Sequence, residues 1–250
     1  MRVAVAGGTG TVGRHVVQAL TREAHHPVVL ARSRGVNVVT GEGLDAALTG
    51  VETVIDVSNV ITTQRKKSVT FFTASTQQLL QAGQRAGVRH HVALSIVGVD
   101  RVDYGYYEGK RRQEELVLTG PVAGTVLRTT QFHEFAGQVL AGTKGPLAPV
   151  PRMRIQPVAA REVGEMLATL ALGTPLGLAG DLAGPQEHQL VDLARRVVAA
   201  RGLHRRVVGV RFPGAAGRGM ASGGLLPQSA GTRGTQTFDE WLAASGTLSS

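Results

Sequence analysis

Three features predict an α/β fold built on a doubly wound parallel sheet. Over the first 130 residues, short apolar runs alternate with longer stretches whose apolar residues recur at helical spacing. A glycine cluster, Gly7-Gly8-Thr9-Gly10-Thr11-Val12-Gly13, stands between the first run and the first helical stretch. The 250 residues include no cysteine, so no disulfide framework or thiolate-bound metal stands in for a packed core.

The elements follow in order. Residues 2–6 form a strand that is apolar after Arg2, and residues 11–22 a helix with Val12, Val16, Val17 and Leu20 at helical spacing. A second strand covers 27–31 and a short third 36–39. A helix over 44–48 is closed by Gly50, and a fourth strand runs over 51–57. A long helix over 68–86 ends at Gly87, followed by a fifth strand at 91–97, a helix at 104–118 and a sixth strand at 124–127. Parallel strands joined by helices require right-handed crossovers and a sheet covered on both faces. Beyond residue 131 prolines at 146, 149, 151 and 157 break the rhythm. Helices are expected at 159–172 and 190–200, a last short one around Trp241, and a mobile glycine-rich connection over 213–235. Residues 1–130 are therefore assigned to the sheet domain. Residues 131–250 form a small α/β region against the sheet edge that does not fold independently.

With 42% hydrophobic residues the chain is neither a disordered polymer nor a membrane protein. No run approaches the ~18 apolar residues of a spanning helix, and the first residues lack the basic and apolar regions of a leader, so the cytoplasm is expected. Lys+Arg 27 against Asp+Glu 18 gives +9, which raises nucleic acid as a partner. The arginines are scattered, however, and with 4% aromatic residues there is no stacking platform, so nucleic acid is disfavoured. Of the dense basic runs, Arg65-Lys66-Lys67 reads as a solvated face, and Lys110-Arg111-Arg112 is followed by Glu114-Glu115 at pairing distance. His25-His26 and His90-His91 are adjacent on strands and point to opposite faces. Neither H-E-x-x-H nor G-x-S-x-G occurs, so no metal site or serine hydrolase is expected.

The glycine cluster carries the chemistry. A buried strand that turns into a helix through Gly7, Thr9, Gly10, Thr11 and Val12 brings bare backbone and helix N–H groups to a pyrophosphate, and Gly13 lets the helix pack close. This is the dinucleotide turn of a Rossmann-like fold. The second strand ends in Arg32-Ser33-Arg34, with no carboxylate between Glu23 and Glu42. Two guanidiniums and a hydroxyl suit a 2′-phosphate, so NADP is preferred and NADPH is favoured over NADH.

Tyr106 and Lys110, four residues apart, project from one helix face behind the strand that ends at Ser95. An ammonium beside a phenol would bring it toward useful acidity, Lys110 would also hold ribose hydroxyls, and Ser95 would bond the substrate oxygen. Tyr104 and Tyr107 compete for the acid's role, and Gly105 and Gly109 loosen the helix register.

These residues resemble the atypical short-chain dehydrogenase/reductases, specifically the NmrA-like NAD(P)-binding group. The resemblance runs over nearly the whole chain. Its carriers are Gly7 to Gly13, Leu44-Asp45-Ala46-Ala47-Leu48-Thr49-Gly50-Val51, Ser95-Ile96-Val97-Gly98, Tyr106-Tyr107 with Lys110 and Glu114, and Val126-Leu127-Arg128-Thr129-Thr130-Gln131-Phe132-His133-Glu134-Phe135. It implies cofactor contacts from the end of the fourth strand, Asp56-Val57-Ser58-Asn59-Val60, chiefly Val57, Ser58 and Asn59, and nicotinamide-side contacts near Thr130, Gln131 and Phe132. It also implies a substrate site touching His133, Phe135 and Val150. Two positions depart from the group: Gly41-Glu42-Gly43 is shortened where relatives carry an Asp, and Thr129 replaces Pro or Ala. The expected activity is NADP(H)-dependent reduction of a carbonyl or conjugated group of a small organic molecule by a monomer or homodimer. The group also includes non-catalytic dinucleotide sensors that act through a protein partner.

Overall fold

The structure, a computed structural model, describes residues 1–228 and 231–246. Five strands of the first half build the sheet: β1 (Arg2–Ala6), β2 (His26–Leu30), β3 (Thr53–Asp56), β4 (His90–Ile96) and β5 (Gly124–Thr129). They pair in parallel in the order β2-β1-β3-β4-β5. Each of β1, β3 and β4 has a neighbour on both sides, and β1 and β3 bury almost every residue, as an apolar parallel strand must. The chain reverses direction across the sheet at β1, which places a crevice outside the carboxyl ends of β1 and β3.

Helices cover both faces. On one, α1 (Gly13–Arg22) packs against α6 (Ala160–Leu172), where Val16 and Leu20 meet Val163 and Leu167 over Val3, Val5 and Ile55. On the other lie α2 (Leu44–Ala47), α3 (Arg65–Ala86) and α4 (Gly105–Thr119), with Leu44, Leu79 and Leu80 against Ala4 and Val54.

The expected third strand at 36–39 is not formed. Asn37 Oδ1 accepts the Val39 N–H at 3.0 Å and the Asn37 carbonyl accepts the Gly41 N–H at 2.9 Å. These local bonds use the backbone groups that a ladder would need, and β2 is left as the sheet edge.

Residues beyond 131 serve two places. Short strands β8 (Gly177–Leu178), β9 (Leu182–Ala183) and β12 (Thr232–Arg233) extend the main sheet beyond β5, and α6 completes its helical layer. The rest packs around a separate core in which Val150, Ile155, Leu193 and Val197 are fully buried or nearly so. It comprises α5 (Phe135–Ala141), the parallel pair β6 (Leu147–Pro151) and β11 (Arg206–Val210), and the antiparallel pair β7 (Arg154–Ile155) and β10 (His188–Gln189). α7 (Leu190–Ala200), α8 (Gly214–Ala221) and α9 (Phe238–Gly246) complete it. The expected mobile connection over 213–235 is corrected, since it holds α8 and β12. Arg101 fastens it with bonds from Nε to Gly224 O at 3.1 Å and from Nη2 to Leu226 O at 2.7 Å. Residues 229 and 230 of that stretch lie outside the described residues.

Candidate active site

The glycine turn leaves β1 with Gly7 at φ +77°, a conformation that L side chains rarely adopt, and a Cβ there would stand 2.8 Å from Val57 O. A Cβ on Gly13 would overlap the Gly7 carbonyl, so only glycine lets α1 start directly over the turn. No side chain caps α1. The backbone N–H groups of Thr11 and Val12 donate to no backbone acceptor among the described residues, which leaves positive helix-terminal dipoles facing the crevice. The turn therefore fits a pyrophosphate: the cradle is shaped by absent side chains and its donors are free.

β2 ends beside this turn, with Gly7 N–H on Leu30 O at 3.3 Å, and Arg32, Ser33 and Arg34 follow as an exposed 3-10 turn. Among the described residues none of the three side chains has an ion pair or hydrogen-bond partner, so both guanidiniums are available to a 2′-phosphate. On the other side of β1, Val57 N–H bonds Ala6 O at 3.0 Å and leads into Ser58 and Asn59. The sequence-predicted dinucleotide residues of β1, β2 and β3 thus converge on one crevice.

Tyr106 reaches this crevice from the first turn of α4. Its hydroxyl donates to Asn59 Oδ1 at 2.7 Å, its ring stands edge-on to Phe72 at 5.7 Å, and burial raises its pKa above the ordinary phenol value. Lys110 lies one turn on but points inward and is 5% exposed. Its Nζ donates to Leu94 O and Gln113 Oε1, each at 2.5 Å, and sits 4.6 Å over the Phe72 ring. Burial pulls its pKa down to about 8, against the attraction of Asp56 and Glu114. Gln113 Nε2 in turn donates to Asp56 Oδ2 at 2.8 Å, and Asp56 Oδ1 accepts the Ser58 N–H at 2.9 Å. One chain of hydrogen bonds therefore joins the Lys110 ammonium to the turn that carries Ser58 and Asn59. No hydrogen bond joins Lys110 to Tyr106, and the buried Ser95 hydroxyl has no partner among the described residues.

Sequence reasoning placed Asp56 among the cofactor contacts and did not foresee its bond to Gln113, which it did not single out. The available signal for Gln113 was a carboxamide three residues after a lysine on the same helix face.

The remaining predicted residues form the wall beyond β5. Thr130 is held on both sides, its N–H on Leu182 O at 3.1 Å and its hydroxyl on Gln156 O at 2.6 Å. Phe132 packs on the cluster that contains Val12. Gln131 keeps a buried Oε1 without a partner. Phe135 begins α5, half-buried against the C-terminal core. His133 is enclosed: Nε2 meets Gln236 O at 3.0 Å, the ring stands edge-on to Phe238 and tilted to Trp241, each at 5.7 Å, and burial lowers its pKa. Val150 is fully buried. Both side chains are filled by protein neighbours, so they shape the wall from behind.

No family model matches the chain. Among curated relatives, it is similar to photosystem II assembly factor Ycf39 of Synechocystis sp. (32% identity, 39% of this chain and 34% of that protein). It is also similar to ceramide reductase of Caulobacter vibrioides (26% identity, 59% and 53%). The matches thus span about a third and about half of those two proteins. A third relative is matched over most of both chains: (4-alkanoyl-5-oxo-2,5-dihydrofuran-3-yl)methyl phosphate reductase of Streptomyces griseus subsp. griseus (30% identity, 83% and 77%). Among solved structures, the fold matches DesIV of Streptomyces venezuelae, a dTDP-glucose 4,6-dehydratase with NAD and TYD bound (TM-score 0.74, 18% identity, 99% of this chain and 96% of that one). It also matches the NADPH-dependent quinone oxidoreductase QOR2 of Escherichia coli (TM-score 0.69, 16% identity, 97% and 98%). By its identity to the Streptomyces griseus reductase over most of both chains, this protein belongs to that reductase's family, and its fold is of the short-chain dehydrogenase/reductase-like kind.

Proposed function

We propose that the protein is an NADP(H)-dependent oxidoreductase that reduces a carbonyl or conjugated group of a small organic substrate, and that it falls in the NmrA-like group. The observation that carries the reading is the convergence on one crevice of the glycine turn, Arg32 and Arg34 after β2, and Tyr106 tied to Asn59 after β3. Two of the relatives are reductases by name, which supports the reaction class.

In this reading Gly7, Thr9, Gly10, Thr11 and Val12 hold the pyrophosphate, and Arg32, Ser33 and Arg34 the 2′-phosphate. Val57, Ser58 and Asn59 line one side of the dinucleotide, and Thr130, Gln131 and Phe132 the other. When bound, NADPH supplies the hydride of the reduction. Tyr106 supplies the proton, and Asn59 fixes the direction of its O–H. The expected lowering of its pKa by Lys110 is corrected: the ammonium is turned to Leu94 O and Gln113, and burial raises the phenol's pKa, so the hydride-transfer step itself must draw the proton out. Lys110, through Gln113 and Asp56, holds the turn that presents Asn59 and acts as a positioning residue. Ser95 remains the proposed partner of the substrate oxygen.

Two measurements test this. At equal concentration NADPH raises the melting temperature more than NADH does, because a ligand that binds only the folded state stabilises it by an amount that grows with the logarithm of its affinity; equal effects refute the NADP preference. NADPH oxidation is then followed across aldehydes, ketones, quinones and enones, where Tyr106→Phe lowers kcat about 100-fold or more. A loss below about tenfold removes Tyr106 as the proton donor. The inward Lys110 favours a second reading, a dinucleotide sensor without turnover. Binding of NADPH with no oxidation across the panel would select it.

A further inference from the structure

β6 and β11, the parallel pair of the C-terminal core, have unlike free edges. Between them, Arg206 N–H donates to Pro146 O and Arg152 N–H to Val210 O, each at 2.8 Å. Backbone groups alternate in direction along a strand, so Arg206, Val208 and Val210 turn theirs to β6, and Val207, Gly209 and Arg211 turn theirs away. On β6 the same alternation leaves Leu147, Pro149 and Pro151 on the outer edge. Two of these are prolines, which have no N–H, so that edge is closed to a further strand. β11 has no such block. The backbone groups of Val207 and Gly209 bond to nothing outside the pair among the described residues.

A cleft of about 550 Å³ lies along this open edge. One wall is β11 with the residue before it, over 205–209, and the other is α7, through Arg195, Val198 and Ala199. No residue of β6 lines the cleft, which places it on the side of β11 away from that strand. Five residues at about 3.3 Å each make the groove about 17 Å long. Four arginines line it and no carboxylate does. Arg205 is committed to the carbonyls of Leu140 and Gly145 and the Thr143 hydroxyl, and Arg195 pairs with Asp192 at 2.9 Å. The side chains of Arg152 and Arg206 have no hydrogen-bond or ion-pair partner among the described residues. Gly209 makes room for Arg152, since a Cβ there would come 3.3 Å from its Nε. Val208 and Val210, 40% and 37% exposed, present apolar side chains beside the edge.

We propose that this groove binds an extended acidic segment of a partner protein, added to β11 as a further strand. The open edge selects the shape of the occupant: a row of free N–H and C=O groups is matched by another main chain, and α7 opposite confines it to one lane. The arginines select its charge, because Arg152 and Arg206 gain carboxylate partners without giving up any they have. A second copy of this chain seated edge to edge would set one arginine-lined groove against another. The groove shares no residue with the candidate active site, so the proposal stands apart from the oxidoreductase reading.

The test is titration of the full chain into the dye-labelled peptide Val-Glu-Val-Glu-Val-Glu, followed by fluorescence polarisation, beside a peptide with lysine in place of glutamate. The acidic peptide binds at least about tenfold tighter than the lysine peptide. Methylation of its two central amide nitrogens, which keeps the charge and removes main-chain donors, weakens it at least about tenfold. Arg152→Ala combined with Arg206→Ala removes the preference for the acidic peptide. Val207→Pro weakens the acidic peptide as methylation does and spares the β6 ladder, which uses Arg206, Val208 and Val210. Thermal unfolding checks that both variants fold, and the methylated peptide probes the same pairing on the unaltered protein. No binding of the acidic peptide, or equal binding of the two peptides, overturns the proposal. Binding that methylation leaves unchanged marks a charged surface without strand addition and overturns it too. So does a concentration-dependent dimer that Val207→Pro dissociates and the peptide does not, which assigns the edge to a second copy. Tighter binding of a hexameric oligodeoxythymidylate, lost in the double arginine variant, assigns the groove to nucleic acid and overturns it as well.

Discussion

Replacing Lys110 by Met tests whether this buried ammonium stabilises the fold or burdens it. The pKa falls from 10.5 to about 8, chiefly through desolvation, and that value already includes the attraction of Asp56 and Glu114. At about 1.4 kcal/mol per pH unit, the charged form costs the folded state about 3 kcal/mol at neutral pH relative to an uncharged amine. Lys110→Met removes this cost but leaves Leu94 O and Gln113 Oε1 without their donor, at about 1–3 kcal/mol each. The expected net effect lies between about 1 kcal/mol of stabilisation and about 3 kcal/mol of destabilisation. The sign of the pH dependence follows from the lowered pKa. Between about pH 8 and 10.5 the unfolded chain holds a proton that the folded chain has released, so wild-type stability rises with pH across that window. Urea unfolding followed by circular dichroism from pH 7 to 10.5 measures both. Subtracting the variant's curve from the wild type's isolates a rise of about 3 kcal/mol. A flat difference curve, or a variant destabilised by more than about 5 kcal/mol, refutes the reasoning.

Three further outcomes follow. Burial lowers the His91 pKa from 6.5 to about 4, so stability falls by about 3 kcal/mol as pH drops through that window; in His91→Leu, acid unfolding curves lose that component. Arg32→Ser with Arg34→Ser weakens NADPH binding about 30–100-fold, the equivalent of two solvent-exposed charge-assisted bonds, and leaves NADH unchanged by calorimetry; an equal loss for both cofactors would disprove the 2′-phosphate assignment. Gly13→Ala forces a Cβ into the Gly7 carbonyl, costs about 1–3 kcal/mol in thermal unfolding and abolishes dinucleotide binding; a variant that binds NADPH normally would show that the turn does not seat the pyrophosphate.

Much of the first half was legible because its signals are local. The apolar strands and the glycine turn lie within a few residues of one another, and their structure follows their spacing. The misread strand at 36–39 shows the limit: its valines favour extended backbone, but Asn37 and the glycines that follow bend it into turns, and no neighbour beyond β2 offers a ladder to repay straightening.

The Tyr106 and Lys110 pair marks the division between sequence and tertiary structure. Helical spacing placed the two side chains on one face, and the sequence by itself determined that. How deep each sits was decided by α3. A Cβ on Gly109 would stand 2.6 Å from the Ser68 carbonyl carbon, so glycine there lets the two helices close, seals Lys110 over Phe72 and leaves Tyr106 at the crevice beside Asn59. The same division holds for the charge. The sequence determined that arginine is abundant and that Arg32 and Arg34 follow the second strand. Only the pairing of β6 with β11, more than fifty residues apart, brought Arg152 and Arg206 into one cleft. Local geometry needs only neighbouring residues. Burial depth and the meeting of distant charges depend on which surfaces pack together, and that is settled by the whole core at once.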